Sequence, residues 1–197
     1  MMKKKSGRKK RRKRILIYIL VGVVFFAAGV LVVSLLQEKG YQIKQIKEWI
    51  TKPPPQEMKI VKLYFSESAG ERLVSEERKI IASPQIGQEA KLILKELIEG
   101  PKDSSLNPTL PSETQIRAVY VKDDCFYVDF SSSLKEKHSG GSTGELLTIY
   151  SIVNTLLENF PSQSQVQILI QGKPAETLAG HIDIRNPLSK NFSVVKQ

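Results

Sequence analysis

The residues best placed to do chemistry form one short run, Ser139-Gly140-Gly141-Ser142-Thr143-Gly144-Glu145, at the head of an apolar-periodic segment. Backbone N–H groups left free at a helix start favour an anion, and glycine lets the backbone approach it closely. Gly140, Gly141, Ser142, Thr143 and Glu145 are therefore the candidate binding residues. The run lacks the Lys-Ser/Thr ending of a nucleotide loop, and the same letters spell a flexible connection followed by a capping box from Ser142 to Glu145. Cradle and cap both remain open at this point.

Other chemistry is scarce. His138 and His181 are the two histidines, neither stands in a metal-spaced cluster, and a zinc ion would have to recruit Glu145 or Asp183 from elsewhere. No metal and no other cofactor is expected. Cys125 is the single cysteine, which excludes a disulfide within the chain, and its place at the head of an apolar strand reads as a small buried hydrophobe. There is no GxSxG elbow, and no pair of carboxylates stands out at the expected strand ends. Asp129, inside the alternating Phe126-Tyr127-Val128-Asp129-Phe130, should cap or turn backbone at that strand's end. With no catalytic set in view, the sequence reads as noncatalytic.

The charge has a definite place. The 197 residues hold 30 Lys plus Arg against 20 Asp plus Glu, for a net charge of +10. Ten of those bases fall in the first fourteen residues, which contain no acid, so the remainder is neutral. The basic balance thus describes a tail and gives no support to a basic nucleic-acid domain; no aromatic residues interleave its charges, and no nucleic-acid partner is expected.

Residues 15–36 follow as an uncharged apolar run, ILIYILVGVVFFAAGVLVVSLL, long enough as a helix to cross about 30 Å of hydrocarbon. Cations stay on the cytoplasmic side, so the expected arrangement is single-pass, with residues 1–14 inside and everything after Leu36 outside. The tail would meet anionic lipid head groups. Ala27-Ala28-Gly29 offers a cleavage reading, but the apolar run continues beyond it, which favours an anchor over a signal core. Residues 37–57 read as a stalk: Ile43, Ile46 and Ile50 at helical spacing, then a spacer at Pro53-Pro54-Pro55.

The outer domain is expected over 58–188, with 189–197 as a C-terminal tail. Lys59 to Phe65 and Arg72 to Ile81 read as a hairpin. Ser83-Pro84 should cap a helix whose stripe is Ile86, Ala90, Ile93, Leu94, Leu97 and Ile98, stopped at Gly100-Pro101. The connection from Lys102 to Glu113 is long enough to be a functional suspect. Gln115 to Lys122 and Cys125 to Phe130 make a second hairpin around Asp123-Asp124. A second helix follows with Leu146, Ile149, Val153, Leu156, Leu157 and Phe160 on one face, ended by Pro161. Val166 to Ile170 is a further strand, Gly172-Lys173-Pro174 its turn, and Leu178 to Ile184 a candidate edge strand. The order β-β-α-β-β-α-β predicts an α+β fold, a small, largely antiparallel sheet with two helices on one face.

Val61-Lys62-Leu63-Tyr64-Phe65, the helix end Leu97-Ile98-Glu99-Gly100-Pro101, Tyr127-Val128-Asp129-Phe130, the Gly141 to Glu145 helix start, Ile152 to Leu156, and Val166 to Gly172 with Lys173-Pro174 come in an order that resembles the GerMN, or germane, domain of sporulation and spore-germination proteins. The resemblance covers about residues 58–188. It implies a bacterial, noncatalytic domain exposed in the cell envelope, of a kind likened to ring-building modules of membrane complexes and found beside cell-wall amidases. This chain departs from the founding member in carrying one copy, and a membrane helix where that protein has a lipid anchor. The expected role is assembly with an envelope protein or with itself; the alternative is small-ligand or peptidoglycan binding in the loops 102–113 and 131–143.

Overall fold

A computed structural model describes residues 18–35, 37 and 57–196. The chain divides into two units, Met1–Pro55 and Gln56–Gln197. In the first, helix α1 (Tyr18–Leu35) is long and apolar enough to cross a membrane, with no residue of it buried against protein. The basic tail, the amphipathic stalk and the proline spacer lie outside the described residues, apart from Gln37.

In the second unit, β1 (Met58–Glu67) and β2 (Leu73–Ile81) form a long antiparallel hairpin, followed by α2 (Ile86–Glu99), a two-residue β3 (Leu106–Asn107), β4 (Ile116–Lys122) and β5 (Cys125–Phe130). A single turn α3 (Ser133–Glu136) leads to α4 (Ser142–Asn159), then β6 (Gln165–Ile170), β7 (Lys173–Pro174) and a 3-10 turn at Phe192–Val194. The architecture is α+β and mostly antiparallel, with one parallel pair, β5 with β6, joined through α4.

Several expectations need correction. The single sheet divides into two, ordered β2-β1-β3 and β4-β5-β6-β7. Gln85, not Ser83, is the residue preceding α2, while the Ser83 hydroxyl accepts the Gln85 N–H at 3.3 Å and Glu89 reaches back to the Ser83 N–H at 3.1 Å. Leu178 to Ile184 forms no strand; its ends are buried as loop anchors, and the Ile184 carbonyl accepts from the Gln167 amide. The β6–β7 turn is Gln171-Gly172, both at positive φ as a two-residue hairpin loop prefers. Residues 189–196 are no free tail: Val195 bridges to Leu73, and Asn154 both donates to and accepts from the backbone of Asn191.

One core joins both sheets to α2 and α4. Val61, Leu63 and Phe65 from β1 meet Ile93, Leu94 and Leu97 from α2; Phe126, Val128 and Phe130 from β5 meet Ile149, Ile152 and Leu156 from α4. Helix α4 is buried on more sides than its expected single stripe, because Thr148, Ser151, Asn154 and Thr155 are also enclosed. Those polar side chains have work to do. The Thr155 hydroxyl accepts the Tyr64 N–H at 3.1 Å, while Asn159 accepts the Lys62 N–H and donates to its carbonyl, at 3.0 and 2.8 Å. A helix thus supplies β1 with the hydrogen bonds a neighbouring strand would give.

Candidate functional site

Gly140 and Gly141 hold φ of 83° and 82°, a left-handed backbone that glycine adopts without steric cost. They turn the chain sharply between α3 and α4. Gly141, Ser142 and Thr143 are exposed, and no side chain caps the first turn of α4. The expected capping box is not formed, because Glu145 is turned elsewhere.

Glu145 is fully buried and points at the segment after β7. Its carboxylate accepts the backbone N–H groups of Leu178 at 2.8 Å, Ala179 at 2.9 Å and His181 at 2.8 Å, with His181 Nδ1 at 3.1 Å. Burial pushes this carboxyl upward, but the amides of Ala179, His181, Leu178 and Ile182 outweigh it and hold the group below the ordinary glutamate value. A cradle of backbone amides therefore exists, made by residues 178–181, and the chain's own anion fills it. Of the five candidate residues, Gly140, Gly141, Ser142 and Thr143 share one turn, and the Glu145 side chain leaves it.

The glycine turn is also tied down. The Gly140 N–H donates to His138 Nδ1 at 2.9 Å, which leaves the proton on Nε2 to be donated to the Thr148 hydroxyl at 3.0 Å. Thr148 in turn donates to the Thr109 carbonyl at 2.5 Å. This relay joins the 131–143 connection to the 102–113 loop through one α4 hydroxyl. Asp129 does bind backbone, though not at the end of its own strand: Oδ1 accepts the Gly172 N–H at 2.7 Å and fixes the β6–β7 turn beside it. Cys125 is buried, and desolvation raises its thiol pKa, which suits packing better than nucleophilic attack. Among the described residues no three His, Cys, Asp or Glu side chains converge as a metal site would require.

The two loops that the relay connects border an open groove of about 590 Å³. Ile98, Leu106 and Leu110 give it an apolar floor, three prolines stiffen its rim, and Asp103, Glu113 and Lys137 bring charge to it. The length of the 102–113 connection was the sequence signal for this groove. Lys137 comes from the 131–143 connection, the other loop expected at a ligand site, though nothing in the sequence singled out that lysine. The Glu145 nest was equally invisible, since its donors are backbone amides more than thirty residues away.

The Germane family, described as sporulation and spore germination, matches residues 62–176, more than half of the chain. The chain belongs to this family. The Germane segment starts within β1, ends just beyond β7, and stops short of the amides that hold Glu145. Solved structures share the fold. The first GerMN domain of the sporulation protein GerM from Bacillus subtilis is 25% identical with a TM-score of 0.56, over 66% of this chain and 97% of that one. The tandem GerMN domains of the same protein give 21% identity and a TM-score of 0.52 over 72% of this chain, which spans 48% of the tandem protein. A lipoprotein candidate from Clostridium perfringens gives 24% identity and a TM-score of 0.50 over 71% of this chain and 93% of that one. No curated protein matches the chain. The Germane family is not known as catalytic, and the second unit is a GerMN-like module.

Proposed function

We propose that this chain is a noncatalytic, membrane-anchored GerMN module that holds protein assemblies together outside the cytoplasm, at the bacterial cell membrane. The observation that carries this reading is an exposed apolar patch on the outer face of the β1–β2 hairpin. Met58 and Ile81 are direct cross-strand partners and Ile60 is their neighbour, yet they are 56%, 43% and 58% exposed. A cluster of neighbouring apolar side chains left open to solvent favours a protein partner. The anchor reading is supported by the length and composition of α1 and by the cationic residues before it. A module tethered in a membrane meets its partners at high effective concentration, so modest contacts suffice. The test is chemical crosslinking in intact membranes, with a reporter fused after Gln197 as the control for topology. A specific crosslinked neighbour, with the reporter active only outside the cytoplasm, is the expected result; monomer alone, or a cytoplasmic reporter, would overturn it.

The groove supports a second reading, binding of a small ligand or a peptidoglycan fragment. Concave space with an apolar floor and a few charged groups is what such a ligand requires. Soluble muropeptides should then perturb NMR signals of residues 102–113 and Lys137 and leave β2 unmoved.

A further inference from the structure

Strand edges are where a sheet can recruit another chain, and the edges of this domain differ in how they are covered. The β1 edge opposite β2 is filled by β3 and by Thr155 and Asn159 of α4. Helix α2 lies against the β4 edge so closely that a Cβ on Gly87 would stand 3.3 Å from the Val119 carbonyl. At the far side of the second sheet, β6 is paired by β7 and by Leu188. The edge of β2 is different. Among the described residues its backbone is met at one end alone, where the Leu73 carbonyl accepts the Lys196 N–H at 2.8 Å beside the Leu73–Val195 bridge.

The hairpin register fixes which β2 groups point outward. Glu67 N–H donates to the Arg72 carbonyl and Ala82 N–H to the Glu57 carbonyl, so even-numbered β2 residues turn their backbone toward β1. Odd-numbered residues face away, as the Leu73 bond to Lys196 independently requires. Ser75, Glu77, Lys79 and Ile81 therefore present outward N–H and C=O groups, and all four side chains are exposed on the outer face.

We infer that β2 pairs antiparallel with β2 of a second copy of this chain, about a twofold axis at Arg78, extending the β2-β1-β3 sheet across the dimer. This rests on the assembly reading above and names its partner. In that register outward-facing residues meet outward-facing residues: Ser75 stands opposite Ile81 of the second copy and Glu77 opposite Lys79, each twice by symmetry. Centring the axis on residue 77 would place Glu77 against itself, and on residue 79 Lys79 against itself. Charge thus selects the register. Arg78 at the axis points inward, where Glu76 holds it at 2.6 Å and Glu96 at 3.1 Å, so two copies of it can lie near each other without bare charge. Ile81 would be flanked by Met58 of its own hairpin and by Ser75 of the second copy.

The test uses the full chain in native membranes, with Cys125→Ala as background. Two versions, one carrying Ser75→Cys and the other Ile81→Cys, are expressed separately and together, then oxidised with copper phenanthroline. Facing residues in such a pair have Cα atoms about 5.5 Å apart, within disulfide reach. The coexpressed pair should give a disulfide-linked dimer, and neither version alone should. A second arm keeps the cysteine pair and adds charge changes. Lys79→Glu, whose own cross-strand neighbour is the neutral Ile60, should cut the dimer band about tenfold, and adding Glu77→Lys should restore it. Crosslinking of either version with itself, no dimer in any lane, or equal bands in all charge variants would overturn the inference. A chain that crosslinks to other envelope proteins but never through β2 would leave the assembly reading standing; a chain with no neighbour at all would remove both.

Discussion

Two groups of backbone amides in this domain, those around the start of α4 and those along β2, are treated oppositely. Around the start of α4 the amides of 178–181 converge on Glu145, and that of Gly140 on His138, so the donors are consumed inside the molecule. Along β2 the donors and acceptors of Ser75, Glu77 and Lys79 point outward beside an exposed apolar patch. The contrast teaches that a glycine-rich polar run can be structural glue, while a hairpin with nothing chemically conspicuous carries the unfilled bonding capacity. Substitutions that empty the first place should therefore cost stability, and those at the second should cost association.

The largest effect is expected from Glu145→Ala. It leaves three backbone N–H groups without their anion and should destabilise the domain by about 3–5 kcal/mol, read from denaturant unfolding of the chain in detergent. Glu145→Gln should lose less, because one amide oxygen still accepts. The pH dependence sharpens this. Because the folded-state pKa of Glu145 is held below its ordinary value, its contribution is fully present above the unfolded glutamate range, roughly pH 4, and is lost as pH falls through the folded value. Glu145→Gln should flatten that acid limb of the stability curve; an unchanged slope would mean the nest does not hold a carboxylate.

Next in size is Thr148→Val, which keeps shape but removes the hydroxyl between His138 and the Thr109 carbonyl. A buried carbonyl left unpaired costs about 1–3 kcal/mol. Hydrogen exchange at Gly140 should quicken, since the imidazole that accepts its N–H loses its own anchor.

How much of this was legible beforehand follows from how local each feature is. The two hairpins, both long helices and the α+β class are written in short-range periodicity, as the Ile86 to Ile98 stripe and the alternation around Phe126 demonstrate. Asp129 was legible as a residue that binds backbone, but its partner, Gly172 in the neighbouring hairpin's turn, was not, because it lies 43 residues away. Capping at Ser142 failed because three converging backbone amides around a buried carboxylate outcompete a single solvent-exposed cap, and a pattern of four letters contains nothing about residues 178–181. Division of one sheet into two was equally hidden: it depends on α2 and α4 inserting at the edges of β4 and β1. The last residues, taken for a tail, hold to α4 through Asn154, a polar residue in a helix that periodicity alone would place in solvent.

Asn159→Ala would sharpen the comparison of edges. It removes both bonds to Lys62 and should cost about 1–2 kcal/mol, since the site is partly open to water. It also opens a stretch of the β1 edge, so the membrane-crosslinking pattern should acquire species that wild type lacks. If it does not, bare strand backbone alone is insufficient for recruitment, and the cross-strand charges of β2 are the deciding element.

The smallest effect is expected at the covered β4 edge. Gly87 lies in the first turn of α2, and alanine there would favour helix by about 0.5–1 kcal/mol. Opposing this, the new Cβ would stand 3.3 Å from the Val119 carbonyl, a backbone atom that can yield only by moving β4 or α2 by a few tenths of an ångström. The two terms are of similar size, so Gly87→Ala should change stability by less than about 1 kcal/mol. Gly87→Val has a smaller helix gain and a larger clash, and should push α2 off the edge, read as faster hydrogen exchange in β4. A valine variant as protected as wild type would mean that close approach of α2 is not what shields β4, and the bare edge of β2 would lose its most direct structural contrast.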